Sequence, residues 1–157
     1  MLRMLVIGGL AYFGLVVLVV GWFLMVSQGR SGGTKLDPER VAQGETVYLT
    51  NCARCHGINL EGEPNWEVQR ADGTWPAPPQ DKTGHTFEHA DIDLFEFIKY
   101  GGARFARPGD KSTMPGYGDK LTTAEIWAVI AYIKSQWPED IREQQELRNF
   151  LGSVHNH

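Results

Sequence analysis

Apolar and polar positions divide this chain into three regimes. From Met4 to Val26 there are 23 residues without a charge. As a helix such a run rises about 34 Å, enough to cross a hydrocarbon core of roughly 30 Å. A cleavable signal peptide, the alternative, has an apolar core of only about 7–15 residues before a small-x-small site. Ser27-Gln28-Gly29-Arg30 fits such a site poorly. The pattern therefore predicts a short N-terminus at residues 1–3 and an uncleaved transmembrane anchor at residues 4–26. Residues 27–36, rich in Ser and Gly, read as a flexible linker, whose r.m.s. span of about 16–19 Å holds the following domain near the membrane surface.

In the second regime the periodicity becomes helical. Asp37 is placed as an N-cap with Pro38 at the first helical position, and the helix is predicted to run to about Asn51, with Val41, Glu45 and Tyr48 at helical spacing. A second helix is predicted from about Ala90 to Tyr100, where Leu94, Phe97 and Ile98 share a face and Gly101 ends it. The third has the clearest start. Thr122 and Glu125 form a capping box, Leu121 and Ile126 a hydrophobic staple, and Ile126, Val129, Ile130 and Ile133 a buried stripe that stops near Trp137-Pro138. Between these helices, residues 57–84 and 101–120 are rich in turn formers and read as loops. The long first loop needs support. In the third regime, residues 139–157, a polar tail carries Leu147, Phe150 and Leu151 at helical spacing, with fraying as the default expectation and docking on a complex as the alternative. The chain beyond the anchor is thus all-α.

Composition changes the picture in two ways. The net charge is −4 and no basic run is present, which excludes nucleic acid as a partner. Only two cysteines occur, so no four-thiolate zinc or iron–sulfur site is available. Those two stand in Cys52-Ala53-Arg54-Cys55-His56, the attachment sequence of a c-type haem. Two thiols at that spacing can bond both vinyl groups of one porphyrin and leave the adjoining imidazole to ligate the iron. A redox dithiol is the alternative, and it requires βαβ units that the flanking helical pattern does not supply. A haem also contributes apolar area that a domain this small lacks.

With these residues in view, positions 37–138 resemble a class I c-type cytochrome domain: a first helix with Gly44 and Tyr48, the Cys-His motif, Met114-Pro115, and a last helix containing Ala128-Val129-Ile130-Ala131-Tyr132-Ile133. The resemblance implies three main helices around one covalent haem c, with Gly44 and Tyr48 crossing Val129 and Tyr132. It implies Cys52 and Cys55 as attachment points, His56 and Met114 as axial ligands, and the carbonyl of Pro78 or Pro79 as acceptor of the free His56 N–H. A neutral thioether favours ferrous iron and closes the sixth position, which directs the chemistry to electron transfer. A core role for Met114 is the alternative. His85, His89, His155 and His157 are the other late-chain candidate ligands. Trp75 and His85 are candidate contacts of the haem propionates; His89 with His85 can also cap the helix near Ala90, and a second metal at this pair is a weaker reading.

The resemblance also places haem attachment outside the cytoplasm, hence a single-pass protein of the bacterial inner membrane with its haem domain facing the periplasm. The leading expectation is a membrane-tethered carrier moving one electron at a time between respiratory or photosynthetic complexes, without catalytic residues of its own. The alternative is a permanent cytochrome c subunit of a larger membrane oxidoreductase or oxidase. A reading from another class, a haem-based gas sensor or peroxidase, requires an open sixth position. Redox proteins or complex subunits at the membrane surface are the expected partners, and Arg54, Arg104, Arg107 and Lys111 form a candidate basic rim for steering them, or else ordinary solvated charge.

Overall fold

The computed structural model describes residues 36–155; the anchor expected at residues 4–26 and nearly all of the linker lie outside the described residues. Among the described residues no helix is long and apolar enough to cross a membrane. The helices are α1 (Pro38–Asn51), α2 (Ala53–His56), α3 (Asp91–Tyr100), α4 (Thr123–Ser135) and α5 (Glu139–His155), with short 3-10 turns at Thr86–Glu88 and Gly102–Phe105. The described residues contain no strand, only an isolated bridge between Thr74 and Lys111. The βαβ framework of a redox dithiol is absent from them.

Local chemistry sets the boundaries. Asp37 accepts from the Glu39 N–H and starts α1, and the Thr122–Glu125 capping box starts α4, with both reciprocal bonds formed (3.2 and 2.8 Å). α4 ends at Ser135, two residues before Trp137. Its predicted stripe of four underestimates its burial, since Ala128, Ala131, Tyr132 and Lys134 are buried as well. The reason is tertiary: α4 packs against α1, against α3 and, through Lys134, against α5, so little of its circumference meets water.

The α1–α4 crossing is unusually close. A Cβ at Gly44 would collide with the Ala128 carbonyl and lie 2.9 Å from the Tyr132 Cβ. One turn along, the rings of Tyr48 and Tyr132 meet at 5.3 Å. The Tyr48 hydroxyl then reaches out of this crossing to the Gly57 carbonyl at 2.8 Å, just past the Cys-His motif. Helix packing and the position of the motif are therefore one structure.

The polar tail departs from the frayed expectation. It forms the 17-residue α5, locked to α3 and α4 by a partly buried polar cluster. Asp91 receives Lys134 Nζ on both oxygens at 2.8 Å, Gln145 Nε2 at 2.6 Å and Asn149 Nδ2 at 3.0 Å. Asn149 Oδ1 in turn accepts the Asp91 N–H at 2.7 Å, so α5, and not His85 or His89, satisfies the start of α3. Gln145 is fully buried, and the Lys134 side chain is 3% exposed. Periodicity could not show this, because the residues that dock α5 are amides rather than apolar side chains.

Asp91→Ala is expected to lower stability by about 3 kcal/mol, since it strips a buried ammonium of its main counter-charge and leaves only Glu146 at 3.1 Å. Thermal unfolding of the variant should show a Tm lower by roughly 10 °C. An unchanged Tm would show that α5 is not held by this cluster.

Candidate haem site

The Cys-His motif lies where α1 breaks into α2. Cys52 caps α1 through its N–H to the Tyr48 carbonyl (2.8 Å), and its own carbonyl accepts from Cys55 N and His56 N at 3.1 and 3.0 Å. That single turn puts both thiols and the imidazole along one wall of a cavity. Gly57 closes the turn with φ of 82°, a conformation few side chains tolerate, and Gly62 N bonds back to the His56 carbonyl at 2.8 Å.

The cavity has a volume of ≈ 330 Å³ and a mostly apolar lining, to which Leu94 and Ile98 of α3, Val129, Ile130 and Ile133 of α4, and the loops around Pro78 and Met114 contribute. Cys52, Cys55, His56 and Met114 line it too. A large flat apolar group that forms two thioethers and takes one imidazole and one thioether as ligands fits this donor set and this apolar lining. The residues present thus suit a haem.

His56 Nδ1 lies 2.8 Å from the Pro78 carbonyl oxygen. The Pro79 carbonyl instead accepts from the Thr86 hydroxyl at 3.4 Å. Burial pushes the His56 imidazole below its usual range, with the Pro78 bond acting in the opposite direction. Burial likewise pushes the Cys52 thiol up to about 11, with its neighbour Cys55 adding to the effect. A nucleophilic dithiol needs a lowered thiol pKa. Here the shift runs the other way.

Met114 comes from the loop after the second 3-10 turn. Its carbonyl accepts the Gly102 N–H at 3.1 Å, and its own N–H donates to Ser112 Oγ at 3.2 Å. Gly101, at φ of 81°, sits against the Met114 carbonyl and Gly116 N so tightly that any Cβ would clash. The backbone around Met114 is thereby held from both sides.

Trp75 lines the cavity, and its indole N–H donates to Asp110 Oδ1 at 3.2 Å. His85 stacks on Trp66 at 5.5 Å and meets the edge of His89 at 5.6 Å, while His89 packs on Phe97 at 5.9 Å. Both histidines line the cavity, and among the described residues no group of three or more His, Cys, Asp and Glu is arranged to hold a metal ion. His155 ends α5 and His157 lies outside the described residues. All four candidate rim cations are exposed, but Arg107 pairs with Asp110 at 3.1 Å and Arg104 lies over the Tyr100 ring at 4.4 Å. With Glu63 and Asp110 also lining the cavity, its mouth is mixed in charge.

Three residues of the site went unread in the sequence. Tyr117 donates to the Asn51 carbonyl at 2.7 Å and ties the Met114 loop to the end of α1. Glu63 accepts the Ala77 N–H at 2.6 Å and pairs with Arg70 at 2.9 Å, which braces the long loop. Gln80 contacts His56 at 3.1 Å. Its place two residues after Pro78 was the one available signal.

The Cytochrome c family model matches residues 41–137. Among curated proteins the chain is similar to the cbb3-type cytochrome c oxidase subunit FixP of Sinorhizobium medicae (strain WSM419), 31% identical over 100 residues, covering 60% of this chain and 29% of that protein. It is similar also to the cbb3-type cytochrome c oxidase subunit CcoP of Azospirillum sp. (strain B510), 31% identical over 101 residues, covering 64% of this chain and 30% of that protein. The chain thus spans about three-tenths of the length of these relatives. Solved structures with a likeness are cytochrome cL of Methylophaga aminisulfidivorans MPT (27% identity, 71% of this chain and 63% of that one, TM-score 0.43) and cytochrome cL of Hyphomicrobium denitrificans (25%, 69% and 56%, TM-score 0.42). The family match covers more than half of the chain, including the Cys52-Ala53-Arg54-Cys55-His56 motif that indicates one covalently bound haem c, and the chain belongs to the cytochrome c family as a class I c-type cytochrome.

Proposed function

We propose that this electron-carrying cytochrome is a permanent subunit of a larger membrane oxidoreductase, passing single electrons between that complex and its donor. The observation that carries this reading is the similarity of the haem domain to proteins named as cbb3-type oxidase subunits, which favours a fixed subunit over the free tethered shuttle. In this reading residues 4–26 anchor the chain in the bacterial inner membrane, residues 27–36 tether it, and the haem domain at residues 37–138 faces the periplasm.

Cys52 and Cys55 carry the haem, which supplies a one-electron ferric/ferrous couple. His56 would ligate the iron through Nε2, since its Nδ1–H donates to the Pro78 carbonyl and so fixes the tautomer. Met114, whose carbonyl is held by the Gly102 N–H, would offer its thioether to the iron. The apolar walls exclude water and so favour the less charged ferrous state, while the thioether acts in the same direction. With His56 and Met114 both offered to the iron, such a site would transfer electrons rather than bind substrates.

Mild-detergent extraction followed by haem staining of native gels tests the assignment. A fixed subunit migrates in a large complex at constant stoichiometry through successive columns. A haem band that runs alone under the gentlest extraction would return the chain to the free-shuttle reading.

A further inference from the structure

We infer that Gln80 is a second hydrogen-bond acceptor for the proximal imidazole, and that it helps to set the electron-donating strength of His56. The inference deepens the functional reading and rests on His56 as the iron ligand. His56 Nδ1 faces two groups, the Pro78 carbonyl at 2.8 Å and the Gln80 amide at 3.1 Å. The Pro78 oxygen can only accept, so Nδ1 must carry the proton. With the Nε2 end of Gln80 toward it, two donors would oppose each other across 3.1 Å.

Turning the amide by 180° removes that conflict, and amide orientation is properly assigned from such networks. Gln80 Oε1 then shares the His56 N–H with Pro78. The Gln80 NH2 group faces Thr86 Oγ1 at the 3.0 Å separation, and the Thr86 hydroxyl donates onward to the Pro79 carbonyl at 3.4 Å. Each of His56, Gln80 and Thr86 now donates to an acceptor.

The surroundings hold Gln80 in place from both sides. Its N–H donates to the Leu60 carbonyl at 2.8 Å, and its carbonyl accepts the buried Trp137 indole N–H at 2.8 Å. Thr86 is buried at 7% exposure. A second acceptor on Nδ1–H draws the imidazole toward imidazolate, which strengthens its donation to ferric iron and lowers the reduction potential. Gln80 is thus a positioning residue that acts through His56.

Redox titration of the full-length holoprotein, paired with NMR of the His56 Nδ1–H in the diamagnetic ferrous state, tests this. Gln80→Glu should lower the potential, move the Nδ1–H resonance downfield and slow its exchange with solvent. Gln80→Leu should shift all three the opposite way. Thr86→Val should follow Gln80→Leu more weakly, and Thr86→Ser should restore the wild-type values. A bare charge effect in Gln80→Glu would move the potential without moving Nδ1–H, and would count against the inference. Wild-type values in Gln80→Glu and Thr86→Val, with haem content unchanged, would overturn it even where Gln80→Leu fails to fold. Failure of the ligand assignment is distinguishable, because it appears in the wild type as the absence of a haem-shifted His56 ring resonance and overturns both.

Discussion

Gly44→Val is expected to yield no recoverable folded holoprotein. The Cβ of any substituent at Gly44 collides with the Ala128 carbonyl, a backbone group inside α4 that cannot rotate away. Alanine there gains about 1 kcal/mol of helix propensity over glycine. Against this stands an overpacking cost of about 1–3 kcal/mol, and because the obstacle is backbone the upper part of that range applies. Gly44→Ala therefore loses stability overall, in the range of about 1–2 kcal/mol. Valine adds two methyls to the same contact and costs about 4 kcal/mol or more, comparable with the whole stability of a small domain. The consequence reaches the haem site, since separating α1 from α4 pulls Tyr48 away from the Gly57 carbonyl beside His56. Thermal unfolding of Gly44→Ala and haem-stained yield of Gly44→Val check the pair. Wild-type yield of Gly44→Val would show that the close crossing is not required.

Met114→Leu is expected to keep the fold and the covalent haem and to change the redox chemistry. Leucine matches methionine in volume, and such swaps cost less than about 1.5 kcal/mol. The backbone bonds from Gly102 N to the Met114 carbonyl and from Met114 N to Ser112 Oγ do not depend on the side chain. What is lost is the thioether. Water or hydroxide in its place favours ferric iron, so the potential should fall by a substantial part of the roughly 0.8 V range that axial ligation covers. The ferrous form should also bind carbon monoxide. If Met114 is instead a core methionine, the variant should retain the wild-type potential and remain closed to added ligands.

The class I fold was legible because its signals are local. Capping at Thr122, the proline at position 38 and the Cys-His motif each act over a few residues, and the three main helices lie close to where periodicity places them. Met114 lines the same cavity as His56, although 58 positions separate them in the sequence. What stayed illegible depends on distant partners. The docking of α5 rests on Asp91, Lys134, Gln145 and Asn149, polar residues that read as solvent-facing until the chain closes around them. Gln80 and Glu63 are of the same kind, ordinary loop amide and carboxylate whose roles arise only when Pro78 and Ala77 arrive beside them. Between Pro78 and Pro79 no local signal exists, since only the path of the folded loop decides which carbonyl faces Nδ1.

Ligation by His56 and Met114 is tested most directly by one optical measurement of the purified wild-type holoprotein. It predicts a low-spin haem in both oxidation states, a weak red-end band in the ferric form from thioether ligation, and no spectral response of the reduced form to carbon monoxide. A high-spin resting spectrum that shifts on adding carbon monoxide would contradict it, and would make the cavity around His56 and Met114 a ligand-binding site rather than the seat of an electron carrier.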